Sequence, residues 1–164
     1  MGGCFFKDQV VALSRAGHKV GVLVAPQLRP LSQLYKVRKL SEFHTKRSCE
    51  RESGAWTSKT SQCRWFPGPF LPKLKASWTS FLARDAIQSY LAERGPPDII
   101  HAHCVLYGGM LAAQIKASLG IPAVLTEHST AYSRGLIRKR DLPLIRKVLR
   151  SMDRVLALAP SLGC

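Results

Sequence analysis

The chain lacks any uninterrupted apolar run near the ~20 residues of a membrane-spanning helix, and its first residues carry no apolar signal-peptide core. It also lacks a C-x-x-C pair. Cys4, Cys49, Cys63, Cys104 and Cys164 are odd in number and scattered, which excludes a disulfide framework and a zinc knuckle and suits a reducing cytosol. No G-x-x-x-x-G-K-[ST] loop is present, which argues against a nucleotide hydrolase. No helix-turn-helix, zinc-finger or aromatic RNA-binding motif appears, so nucleic acid is not the expected partner. Acidic residues are scarce: 10 against 25 basic ones, a formal charge of +15. That excess favours an anionic partner such as a nucleotide, a phosphorylated lipid or a membrane surface.

What is present is enough for one domain with a real core: 164 residues, 46% of them hydrophobic. Helical spacing of Phe6, Val10 and Leu13 predicts a helix over 4–16, stopped by Gly17. Alternation of Val20, Val22 and Val24 predicts a strand over 18–25. Residues 32–43 read as a basic helix and 45–60, rich in Ser, Thr, Lys and Arg, as an exposed loop. A short strand at 62–66 and a helix at 74–93 follow.

The most informative segment comes next. Residues 97–103 and 121–128 read as strands, each ending on a histidine, with a helical pattern at 108–119 between them, closed by Gly120. A crossover through a helix makes such strands parallel neighbours. In open parallel sheets ligands bind beyond the carboxyl ends of the strands, where His103, Glu127 and His128 fall. A loop over 129–140, a basic helix over 141–152 and a last buried strand over 153–158 complete the alternation. Eight Lys or Arg between 134 and 154 form either a solvated face or an anion-facing surface. The fold class is α/β, a Rossmann-like parallel sheet with helices on both faces. A glycine pair opening a helix, as Gly2-Gly3 does, usually follows a strand and lets backbone N–H groups meet a phosphate. No strand precedes it here, and both ends of the sequence are expected to be cut.

With the elements in order, several segments resemble the amino-terminal domain of family 4 glycosyltransferases. They are Gly2-Gly3-Cys4-Phe5-Phe6-Lys7-Asp8-Gln9 with Ala12-Leu13 and Gly17-His18-Lys19-Val20; residues 97–103, PDIIHAH; Gly108-Gly109; Gly120-Ile121-Pro122; residues 126–130, TEHST; and the run from Asp153 to Leu162. The resemblance implies half of a GT-B fold, the acceptor-side domain, opposed by a donor-side domain carrying a paired-glutamate motif. It implies retaining transfer from a nucleotide-sugar, a co-substrate, with no required metal and no cofactor. Neither the first strand nor the donor domain is found in the sequence, so 1–164 is expected to be one partial domain, inactive alone.

On that resemblance His128 matches a histidine near the reacting sugar and donor phosphate, where an imidazole can donate a hydrogen bond to a developing anion. Gly2 and Gly3 would face the donor phosphate. His103, Glu127, Ser129, Thr130 and Arg134 would face the acceptor, with Tyr132 beside them, although 129–134 also reads as an ordinary loop and Glu127 as a turn cap. His101 reads as a packed histidine. His101, His103, Cys104 and His128 together suggest a metal site, but no further carboxylate or cysteine falls at ligand spacing, so no metal is expected. The implied partner is a sugar or lipid-linked acceptor, at a cytoplasmic location peripheral to an anionic membrane. The competing reading is a non-catalytic basic module for a membrane surface or nucleic acid.

Overall fold

Most of the described core is built by three parallel strands and the two helices that join them. The computed structural model describes residues 4–24, 28–30, 47–52, 55–60, 64–66 and 72–157, with side chains described for 8–24, 81 and 83–157. The elements are α1 (Cys4–Arg15), β1 (Gly21–Leu23), β2 (Leu28–Pro30), β3 (Arg47–Glu52), β4 (Ala55–Thr60), β5 (Arg64–Phe66), α2 (Pro72–Arg94), β6 (Ile100–His103), α3 (Met110–Leu119), β7 (Ala123–Glu127), α4 (Leu142–Ser151) and β8 (Arg154–Ala157). Gly17 and Gly120 follow α1 and α3 with φ of 88° and 69°, the left-handed ending that glycine adopts without a Cβ penalty.

β6, β7 and β8 pair in that order and all run parallel, with His101 beside Val124 and His103 beside Thr126. The expected strand–helix–strand unit is therefore present. Period-two alternation gives each strand two faces. Ile100, Ala102, Ala123 and Leu125 share the face that packs with Met110 and Ala112 of α3 and with Ile145 and Val148 of α4. His101, His103 and Thr126 share the opposite face. Leu125 and Ala123 are fully buried. Asp153 ties the amino ends together: its N–H donates to the Ala123 carbonyl (2.9 Å), and its carboxylate accepts from Ala123 N–H (2.8 Å) and Lys116 Nζ (2.5 Å).

Two expectations change. Within the expected loop, residues 47–52 and 55–60 are strands: β3 and β4 pair antiparallel from Arg47 opposite Thr60 to Glu52 opposite Ala55. The signal was the two-residue separation at Ser53-Gly54 and the strand-favouring Trp56 and Thr57, masked by the polar composition. β1 pairs parallel with β4, and β2 with β5, so the strand near residue 20 takes its partner from that hairpin. β8 is not buried. Val155 is 43% and Leu156 52% exposed, because among the described residues only β7 lies beside it. The basic helix expected over 32–43 lies outside the described residues.

Leu125 sits at the middle of the central strand and touches both helices' side of the core. Leu125→Ala is expected to cost about 2–5 kcal/mol, through lost transfer energy and a cavity that rigid neighbours only partly fill. Urea unfolding of the two proteins measures it.

Candidate functional site

β6 and β7 end side by side, and the chain leaves β6 through a strained turn. Cys104 has φ 60° and Tyr107 φ 69°, a region that costs a non-glycine residue about 1–3 kcal/mol. The turn over Val105–Gly109 then enters α3. A Cβ at Gly108 would run into the carbonyl oxygen of His103, a backbone atom with little freedom to move. One at Gly109 would press on Val148 Cγ1 (3.1 Å), the Cys104 carbonyl and Leu125. The glycine pair thus lets the turn fold flat against the strand end.

Glu127 holds this turn. Its side chain lies on the helix-facing side of β7, and the residue is 5% exposed. One carboxylate oxygen accepts from the Val105 N–H and the other from the Ser129 N–H, each at 2.7 Å. The Tyr132 hydroxyl and the Cys104 thiol lie near the same carboxylate. Burial, and then the nearby negative charge of Glu127, pushes the Tyr132 phenol up to about 12. Burial and Glu127 also raise the Cys104 thiol, so that it keeps its proton at neutral pH.

The opposite face carries the imidazoles. His101 Nε2 lies 2.8 Å from Thr126 Oγ1, and its ring stacks at a tilt 4.5 Å from that of His103. His103 and His128 meet edge to face at 5.7 Å between centroids. His128 Nε2 is 3.6 Å from Cys104 Sγ, within hydrogen-bonding reach of sulfur. Burial, and then the adjacent His101 and His128, lower the His103 pKa to about 4, so its imidazole is neutral at pH 7 and offers one donor and one acceptor. Burial also lowers His101.

The structure therefore brings His103, Glu127 and His128 together at one strand edge, with Glu127 engaged by the protein's own donors. Ser129 to Leu136 form a self-bonded turn: Ser129 Oγ accepts from Ala131 N–H, and the Thr130 carbonyl accepts from Arg134 N–H and Ser133 Oγ. Thr130 and Arg134 are exposed beside the edge. Gly2 and Gly3 lie outside the described residues. The contact of Thr126 with His101 was missed in the sequence, because it joins side chains from different strands, whereas Cys104, grouped there with the histidines only as a metal ligand, lies beside His128. Among the described residues no three His, Cys, Asp or Glu side chains are arranged to hold a metal ion.

The profile of Glycosyltransferase Family 4 matches residues 5–163 of this chain. The chain belongs to that family. The resemblance drawn from the sequence motifs and the α/β assignment are both borne out. No curated protein matches the chain. For a glycosyltransferase family 4 domain, interactions with a sugar acceptor and a donor follow in general terms.

Two outcomes test this geometry. Glu127→Gln places an amide NH₂ against a backbone donor, so stability is expected to fall by about 1.5–3 kcal/mol, read by denaturant unfolding. The second concerns pH. His103 has an ordinary pKa of 6.5 when unfolded and about 4 when folded, so between those values the unfolded chain binds the extra proton. Stability should therefore fall as pH drops from 6.5 toward 4, and His103→Gln should flatten that slope relative to the parent protein.

Proposed function

We propose that residues 1–164 form one Rossmann-like domain, the acceptor side of an enzyme that moves a sugar from a nucleotide-sugar to a glycan or lipid-linked acceptor. What carries the reading is the parallel pair β6 and β7, which ends with His103 and His128 side by side at the edge where open α/β sheets bind ligands. The family match across nearly the whole chain supports it.

In this reading His128 donates a hydrogen bond to the charge that develops as the sugar leaves its phosphate. His103, kept neutral, hydrogen-bonds acceptor hydroxyls, and Thr130 and Arg134 border the acceptor's entry. Glu127 works through the backbone, fixing the segments on either side of His128. Gly2 and Gly3 are assigned to the donor phosphate on the resemblance alone. Holding two reactants in line accounts for much of such an enzyme's rate, and stabilising the leaving phosphate supplies more. The donor-side contacts are assigned to a second domain, in the same polypeptide or another. Work at the cytoplasmic face of a membrane, in polysaccharide assembly, is the finer part of the proposal.

The 164 residues alone are expected to transfer no sugar from a panel of nucleotide-sugars. Joined to a donor-side domain of the same family they should do so, and His128→Ala in that protein should lower turnover by about 10²–10³, the effect of removing one oxyanion donor. Transfer by the 164 residues alone would refute the two-domain reading; unchanged turnover in the variant would refute the role of His128.

A further inference from the structure

Cys104 holds a backbone conformation that favours a residue with no side chain. At φ 60° and ψ 134° it bears a strain that glycine would avoid, yet a thiol stands there. Its backbone is engaged on both sides. The N–H donates to the Thr126 carbonyl and the carbonyl accepts from the Gly109 N–H, each at 2.9 Å. With both groups bonded, the direction of Cβ is set and the sulfur is delivered to one place, 3.6 Å from His128 Nε2. The contact spans 24 residues and exists because β6 and β7 run parallel and end together. His128 is confined from other directions as well: Glu127 and Ser129 on either side of it bond one another, and His103 meets its ring edge to face. A ring held in this way still has one choice, which of its two nitrogens carries the proton.

We propose that Cys104 is a positioning residue for His128: its S–H donates to Nε2, so the neutral imidazole carries its proton on Nδ1 and donates from there. The distribution of donors favours this direction. The thiol has one proton, and burial together with the charge of Glu127 keeps it on sulfur at neutral pH. Glu127 already accepts two backbone N–H groups at 2.7 Å and has the Tyr132 hydroxyl nearby, so its charge does not depend on the thiol. A neutral imidazole has one acceptor nitrogen, and once that nitrogen accepts, the other must donate. A thiol is a weak donor, but the two tautomers of an imidazole lie close in energy, so a weak bond is enough to select one.

The consequence for catalysis rests on the proposed sugar transfer; the tautomer does not. In that reaction the hydrogen bond to the charge developing on the leaving phosphate comes from Nδ1–H. Without the thiol, the proton is free to settle on Nε2, on the far side of the ring, and the donor is lost although the imidazole stays in place. Cys104 thereby acts on the reaction through His128 and not by touching either reactant.

The test is NMR of the histidine ring nitrogens in the 164-residue chain at about pH 8, above the ordinary imidazole range, with His128 assigned by the signals that His128→Gln removes. The parent is expected to carry the His128 proton on Nδ1. Cys104→Ala keeps a Cβ, so the demand on the backbone is unaltered, and the proton is expected to move to Nε2, the tautomer histidine favours in water. Cys104→Ser keeps a donor and should move it less. If Cys104→Ala does not fold, Cys104→Gly, which relieves the positive φ while removing the sulfur, gives the same reading. A parent His128 protonated on Nε2, or a tautomer unmoved when the sulfur is removed, would overturn the assignment. In the chain joined to a donor-side domain, Cys104→Ala is expected to lower kcat about 3–10-fold, the net effect of one hydrogen bond, with the acceptor KM little altered and Cys104→Ser recovering part of the loss. An unchanged kcat would overturn the role in transfer. No sugar enters the NMR measurement, so an inactive joined protein would count against the enzymatic reading alone.

Discussion

A single buried carboxylate governs the geometry of the strand edge. Glu127 takes one backbone N–H from each side, Val105 on the turn after β6 and Ser129 on the loop after β7. Two residues of that turn region hold positive φ without being glycine, and such backbone persists only where its surroundings over-determine it. The charge-assisted bonds of Glu127, the Cys104 N–H to Thr126 carbonyl bond and the Gly109 N–H to Cys104 carbonyl bond together do so. An acid taken out of water needs partners, and a strained turn needs donors satisfied; each requirement answers the other.

The parallel unit around residues 97–128 was legible in the sequence because its signals are local. Pro-Pro before β6, Gly108-Gly109 before α3 and Gly120 after it mark boundaries that backbone sterics impose whatever the tertiary context. The β3–β4 hairpin was not legible, since charged and hydroxyl side chains that suit an exposed edge also suit a loop. The exposure of β8 was missed for the opposite reason: Val-Leu-Ala reads as buried in composition, whereas burial depends on which elements lie alongside. Glu127 was read both as an acceptor contact and as a turn cap. Only the three-dimensional positions of Val105 and Ser129 show both of its oxygens engaged with backbone.

The imidazole face is electrostatically unlike the carboxylate face. Burial, and then the nearness of His101 and His128, disfavours a proton on His103. Across the sheet, Glu127 raises the affinity of Tyr132 and Cys104 for their protons. The strand edge therefore separates a neutral His103 on one face from the Glu127 anchor on the other. Proton affinity is biased downward on one side and upward on the other by the same few ångströms of chain.

That separation follows from the pleat alone. Because successive side chains at the end of β7 point to opposite faces, the letters at 127 and 128 belong to different structures: one to the scaffold, the other to the imidazole face. Sequence drift can therefore explore position 128 while the scaffold stands. Insertion or deletion of a single residue within β7 cannot be tolerated in the same way. It would turn the acid outward and the imidazole under the turn, exchanging anchor and tool at once. In this family member the length of a five-residue strand is thus itself heritable information, as binding on the gene as the identity of any residue in it.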